Sequence, residues 1–116
     1  MDFGVALQWG DMRHIGLSPT LHEVVKTARD LGFRSLWTTD QMSARSDNSF
    51  STEPLITAAS LMHIVPEMLL GVAVLVLPLR NAAVVAKQSS TLSLLSGERF
   101  ILGIGVGGSE TEASLA

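Results

Sequence analysis

Short runs that favour strands alternate with longer amphipathic segments along the 116-residue chain. The run at residues 69–77 is almost uniformly aliphatic, and an unbroken run of this length indicates a strand that is buried on both faces. The other three runs are shorter and are bounded by glycine or polar residues that favour turns. Four strands are therefore predicted, at Phe3–Leu7, Phe33–Thr39, Leu69–Leu77 and Phe100–Val106.

Three helices are predicted between these strands. The first begins at Ser18-Pro19, because a hydroxyl can cap free N–H groups and a proline suits the first helical turn. Its apolar residues recur at helical spacing up to Gly32, which can adopt the left-handed conformation that ends a helix. The second helix is predicted between the prolines at positions 54 and 66, and the third at residues 81–95, with Asn81 as its cap.

The order of elements predicts the fold class. Strands begin near residues 3, 33, 69 and 100, and a helix separates each strand from the next. This alternation is typical of an α/β fold with parallel strands. Eight such units form a barrel of about 250 residues. We therefore expect a single domain over residues 1–116 that forms the N-terminal half, about four βα units, of a TIM-type (β/α)8 barrel with two open sheet edges.

Composition and charge narrow the range of partners. Eight basic and eleven acidic residues give a net charge of −3, which provides no basic surface for nucleic acid and no cationic face for anionic lipid. The N-terminus lacks a signal-peptide pattern, and the longest apolar stretch, about twelve residues, is too short to span a bilayer. The absence of cysteine excludes disulfides and thiolate chemistry, and no histidine has a partner at metal-ligand spacing. We expect a cytoplasmic protein without a metal site.

Ligands of parallel α/β folds bind beyond the carboxyl ends of the strands. Four places qualify in this chain: residues 8–10, 39–41, 77–78 and 105–109. Asp40 follows the second strand, where its carboxylate either accepts hydrogen bonds from a cofactor or serves as a capping or loop residue. Arg80 is interpreted as a surface charge and Trp37 as a core residue.

A string of glycines marks the fourth strand. Gly103, Gly105 and Gly107 alternate with aliphatic residues, so that on a strand the three glycines share one face. Such a face allows a flat ring or another backbone to approach closely. Alternatively, the small residues relieve crowding inside a barrel. Gly103, Gly105 and Gly108 also match G-x-G-x-x-G spacing, which in dinucleotide-binding proteins lies in the turn between a strand and a helix. A small NAD(P)-binding domain is therefore an alternative if these glycines lie in such a turn.

The segment LPLRNAAVVAKQSSTLSLLSGERFILGIGVGG at residues 77–108 resembles the third-helix and fourth-strand region of the luciferase-like oxidoreductases. GFRSLWTTDQ at residues 32–41, FGVAL at the N-terminus and EPL at residues 53–55 are similar to the same family. The resemblance implies a barrel that binds FMN or its deazaflavin analogue, coenzyme F-420, at the carboxyl face for oxygen insertion or hydride transfer. The block from LPLRN to AKQ favours the F-420-using branch.

The resemblance also implies roles for individual residues. Asp40 matches an acid near the cofactor, and Gln41 occupies the catalytic position at which many members have a proton-exchanging histidine. A glutamine cannot titrate, but it can hydrogen-bond the cofactor or the substrate. Ala73-Val74 matches a third-strand bulge with a non-proline cis peptide beneath the flavin ring. The implied cofactor-binding residues are Asp40, Ala73, Val74, Gly105, Gly107 and Gly108.

Three functions are consistent with these observations. The first is a luciferase-like oxidoreductase or monooxygenase that acts on a small organic substrate and is incomplete and inactive as this chain alone. The second is a non-catalytic half-barrel that assembles with another half, as a homo-oligomer joined through its open sheet edges. The third is the NAD(P)-binding domain, which depends on the position of the glycines.

Overall fold

The structure is a computed structural model that describes residues 1–7, 17–41, 52–108 and 110–115. Its elements are β1 (Gly4–Leu7), α1 (Leu17–Asp30), β2 (Ser35–Thr38), α2 (Pro54–Leu61), β3 (Leu69–Val76), α3 (Ala82–Leu95), β4 (Phe100–Gly105) and α4 (Glu110–Leu115). A 3-10 turn at Leu77–Leu79 connects β3 to α3. The first candidate ligand loop, residues 8–10, and nearly all of the predicted polar loop that begins at residue 42 lie outside the described residues.

The four strands form one parallel sheet in the order β1-β2-β3-β4. Val5 pairs with Leu36, Leu36 pairs with Leu70, and Leu70 pairs with Phe100, so the strands are aligned across the whole sheet. Each strand pairs with the next strand along the chain, as expected when consecutive parallel strands are joined by crossover segments. The predicted α/β class, with parallel strands that alternate with helices, is confirmed.

The core lies between the sheet and its helices. Leu36, Leu70, Val72 and Leu75 are buried on one face of the sheet. One cluster joins the β2 and β3 residues to side chains of α1 and α2, and a second joins β3 to α3. The opposite face, called the inner face below, carries Gly4, Ser35, Trp37, Gly71 and Gly103. Within the described residues the helices cover one face of the sheet, which leaves the inner face and the strand ends open to a ligand.

Local signals explain most helix boundaries. The Asn81 side-chain oxygen accepts hydrogen bonds from the N–H groups of Ala83 and Val84, at 3.0 and 3.2 Å, so the predicted cap is confirmed. Gly32 has a φ of 89° just beyond α1, in the left-handed region expected there. No helix in the described part of the chain has both the length and the apolar character needed to cross a membrane.

Two features of the helices differ clearly from the prediction. The helix expected up to Pro66 ends at Leu61 and is followed by turns, in which the Arg99 side chain binds the carbonyl groups of Met62 and Val65. The Met62 carbonyl cannot receive the next helical hydrogen bond, because Pro66 has no N–H, and the Val65 carbonyl also accepts the Met68 N–H at 3.1 Å. In addition, α4 follows β4 although no helix was predicted there.

Candidate functional site

The third strand carries a bulge near its carboxyl end. Val72 pairs with Leu102 and Leu75 pairs with Ile104, so Ala73 and Val74 together lie opposite a single residue of β4. The peptide bond between Ala73 and Val74 is cis. The feature that the family resemblance implied at these two positions is therefore present.

The glycines of β4 make room for this bulge. A Cβ atom on Gly103 would lie 2.6 Å from the Val72 carbonyl oxygen, and one on Gly105 would lie 2.7 Å from Cγ2 of Val74. Both distances are too short for any residue with a side chain unless its surroundings shift. The close approach that the glycine pattern predicted is therefore, at these two positions, an approach by the neighbouring strand.

The glycine-containing strand β4 ends earlier than predicted. β4 ends at Gly105, and Gly107 lies beyond it with a φ of 86°, so the expectation of three glycines on one strand face is wrong for Gly107. A Cβ atom on Gly108 would have no neighbour within 4 Å, which leaves open space there. Gly103 and Gly105 lie inside a strand instead of a strand–helix turn. This excludes the dinucleotide-binding alternative.

Asp40 lies at the carboxyl end of β2, in a buried ion pair. Its side chain is only 2% exposed, and one carboxylate oxygen accepts the Val76 N–H at 2.9 Å. The Arg80 guanidinium donates to both carboxylate oxygens of Asp40 at 3.0 Å and to Glu53 at 2.8 Å. Glu53 in turn caps α2 by accepting the Ile56 N–H at 2.7 Å. Arg80 therefore lies inside a network and is not the surface charge that we predicted.

Trp37 covers the inner face at the level below the bulge. Its indole N–H donates to the Ser35 hydroxyl at 2.9 Å, and its ring lies over glycines of both neighbouring strands. A Cβ atom on Gly71 would overlap two atoms of the indole ring, and one on Gly4 would lie 2.7 Å from the indole nitrogen. The Trp37 side chain is thus half-buried on the inner face, and it is not part of the core between the sheet and the helices, where we predicted it.

The structure brings most of the predicted site residues to one end of the sheet. Asp40 contacts β3 at Val76, Ala73 and Val74 form the bulge, and Val74 reaches Gly105. Gln41 follows Asp40 at the same end and is half-buried. An open apolar depression of about 380 Å³ lies beside them, lined by Leu77, Pro78, Ile104, Gly105 and Val106. Glu53, Arg80 and Trp37 belong to this region and were not predicted to contribute.

The chain is an α/β protein whose four parallel strands pair in chain order, and its bulge, Gly105 and buried carboxylate lie at the carboxyl ends of the strands, where (β/α)8 barrels bind their ligands. The family model for luciferase-like monooxygenases matches residues 1–116, and the chain therefore belongs to that family. Among characterised proteins compared by sequence, none matches the chain.

Solved structures share this fold at low identity. The oxygenating constituent of 3,6-diketocamphane monooxygenase from the CAM plasmid of Pseudomonas putida, a type II Baeyer–Villiger monooxygenase in complex with FMN, has a TM-score of 0.79 at 20% identity over 99% of this chain. The coenzyme F-420-dependent tetrahydromethanopterin reductase from Methanopyrus kandleri has 0.74 at 24% identity over 98%. Riboflavin lyase, with modified FMN and riboflavin, has 0.77 at 18% identity over 98%.

The chain spans about a third of the length of these structures, 32%, 29% and 32% respectively. At this level of identity the likeness shows the fold alone.

Proposed function

We propose that the chain forms the part of a luciferase-like oxidoreductase that receives the ring of FMN or coenzyme F-420, for hydride transfer or oxygen insertion on a small organic substrate. The observation that carries this proposal is the clustering of the Ala73–Val74 bulge, Gly105 and the end of β2 at one edge of the sheet. Solved relatives of this fold contain FMN or depend on F-420. The family-specific LPLRN and AKQ segments favour F-420.

The residues at this edge suit a flat ring. Val74 is 45% exposed, and Gly107 and Gly108 carry no side chain, so an apolar ring face can approach the strand ends closely. The apolar depression beside Gly105 offers further contact area. The bound cofactor would supply the redox chemistry, and the protein would bind the ring and exclude water.

Gln41 can orient the cofactor or the substrate but cannot transfer a proton. Its amide offers one acceptor and two donor hydrogens, and none of them titrates in the physiological range. The proposed role of Gln41 is therefore hydrogen bonding. The catalytic proton, where the reaction needs one, comes from another group.

The cofactor proposal is tested by titrating the chain with FMN and with F-420 while following flavin fluorescence. Because much of the inner face is exposed, we expect saturable but weak binding, with a dissociation constant on the order of 10⁻⁴ M. Changing Gly108 to leucine fills open space at the site and should reduce binding without changing the unfolding transition. Ser90→Leu on the exposed side of α3 is the matched control. The proposal fails if neither cofactor saturates the wild-type chain.

A second proposal is that two copies associate through their sheet edges. β1 and β4 are the outer strands, and Leu69, Val74 and Ile101 are each more than 40% exposed. A two-fold axis parallel to the strands would place β4 of each copy beside β1 of the other, in parallel, and close eight strands. In this arrangement the chain would be a non-catalytic assembly module. The single domain over residues 1–116 and a cytoplasmic location remain predictions.

Sedimentation velocity tests this association. A discrete dimer that persists at micromolar concentration is expected, and Ile101→Lys should dissociate it, because a charge would then lie on the exposed apolar sheet surface. Val24→Lys, which adds the same charge to an exposed position of α1, is the control. A monomer or polydisperse material at every concentration would contradict the dimer and leave the cofactor proposal unaffected.

A further inference from the structure

We infer that Arg80 is a positioning residue for the cofactor site, and that Asp40 acts on that site through Arg80 and Val76. This inference rests on the function proposed above. Arg80 follows the 3-10 turn after β3, and one guanidinium group binds the end of β2 and the cap of α2 at the same time. The Arg80 side chain therefore connects three segments at the carboxyl ends of the strands: the end of β2, the cap of α2 and the turn after β3.

The Asp40 carboxylate is already engaged by the protein. Oδ1 accepts from Arg80, and Oδ2 accepts from both Arg80 and the Val76 N–H, so both oxygens have protein donors. With 2% of the side chain exposed, a ligand could bind Asp40 only by displacing these donors. Asp40 therefore affects a cofactor through the position of β3 and not through its own oxygens.

Because the Asp40–Arg80–Glu53 network is largely buried, it restricts the relative positions of the segments that it joins. The Arg80 side chain is 15% exposed, so its ion pair with Asp40 is only weakly screened by water and salt. Nε of Arg80 also donates to Oδ2 of Asp40 at 3.3 Å while Nη2 donates to Oδ1 at 3.0 Å, and such paired bonds fix orientation as well as distance. Without Arg80, the donor that the structure describes for the buried Asp40 carboxylate is the Val76 N–H. A buried carboxylate with so few donors is energetically costly, which favours a rearrangement of the ends of β2 and β3.

The constrained residues lie beside the proposed ring site. Val76 is two residues beyond Val74 on β3 and pairs with Gly105 of β4. Gln41 is covalently next to Asp40. A shift of the Asp40–Val76 bond therefore moves the bulge, the glycine end of β4 and the proposed orienting amide relative to one another. A misplacement of about 1 Å at such a site weakens ligand binding and catalysis even though no direct contact with the ligand is lost.

The test compares Arg80→Gln, Asp40→Asn and the double variant in the full chain, with FMN and F-420 affinity and the urea unfolding transition measured for each. Residues that act as one unit give non-additive effects. We expect each single change to weaken cofactor binding by about tenfold, and the double variant to be no weaker than the poorer single variant. Arg80→Lys, which keeps the charge but not the fork of donors, should restore only part of the affinity.

The control is Arg34→Gln, since the Arg34 side chain is 72% exposed and its ion pair with the exposed Asp2 is long, at 4.0 Å. A purely structural role for Arg80 would lower the unfolding midpoint and leave the affinity of the folded protein unchanged, and that result overturns the inference. Additive effects of Asp40→Asn and Arg80→Gln would overturn it too. If the wild-type chain itself fails to bind either cofactor, the proposed function is wrong and the inference falls with it.

Discussion

Replacing Arg99 with methionine is expected to lower the free energy of unfolding by about 3 kcal/mol, because it removes charge-assisted hydrogen bonds to several buried carbonyl groups. The guanidinium donates to the carbonyl oxygens of Ser96 at 2.7 Å, Met62 at 3.0 Å and Val65 at 3.2 Å, and to that of Met68. These four residues are themselves buried. Urea unfolding followed by circular dichroism measures the change.

The reason for this large effect is that the carbonyl groups of Met62, Met68 and Ser96 would lose the donor described for them, whereas that of Val65 keeps the Met68 N–H at 3.1 Å. Two of the carbonyls follow the end of α2, where the helix dipole also favours a cation. Methionine retains an unbranched apolar stem like that of arginine, so the variant mainly removes the guanidinium and its donors.

Two controls separate this effect from a general loss of charge. Arg34→Met removes an arginine that is 72% exposed and should change the unfolding free energy by less than about 0.5 kcal/mol. Arg99→Lys keeps the charge but can satisfy fewer carbonyls, so its stability should fall between wild type and Arg99→Met. Equal stability of Arg99→Met and Arg34→Met would contradict the role of Arg99.

Hydrophobic patterning was sufficient to predict the fold class. The strand starts near residues 33, 69 and 100 depend on local signals, namely short apolar runs, prolines, glycines and capping residues, which act over a few positions. The Asn81 cap and the end of α1 at Gly32 are such signals. The hydrogen bonds that hold the turn after α2 are different, because their donor, Arg99, is 34 to 37 residues away along the chain. No local pattern contains that information.

The candidate site was only partly predictable for the same reason. The Ala73–Val74 bulge came from family resemblance, because alternation alone indicates an unbroken strand at that point. Arg80 lies 40 residues from Asp40 and 27 from Glu53, and an arginine beside an asparagine cap is ordinarily an exposed residue. Gly103 and Gly105 do lie at a place of close approach, which was one of the interpretations that the glycine pattern allowed. The sequence could not show whether a ring or the neighbouring strand makes that approach.

Gly103→Ala is expected to lower the free energy of unfolding by about 2–3 kcal/mol, since the new methyl group would overlap backbone atoms of β3. The nearest atom is the Val72 carbonyl oxygen at 2.6 Å, and a main-chain atom in a paired strand cannot rotate away. Gly108→Ala is the matched control, because a Cβ atom at that position has open space around it. Equal stability of the two variants would show that β3 can move at the bulge.

Gly105→Ala separates a clash with backbone from a clash with a side chain. Its Cβ atom would meet only Val74, 2.7 Å from Cγ2, so removal of that methyl group by Val74→Ala should restore stability to within about 0.5 kcal/mol of Val74→Ala alone. The same second change should leave most of the Gly103→Ala deficit, because the Val72 carbonyl oxygen remains. Chemical unfolding of the five variants measures both outcomes. If Val74→Ala rescues Gly103→Ala fully, the contact with Val74 Cγ1 at 3.2 Å, and not the backbone, requires glycine at position 103.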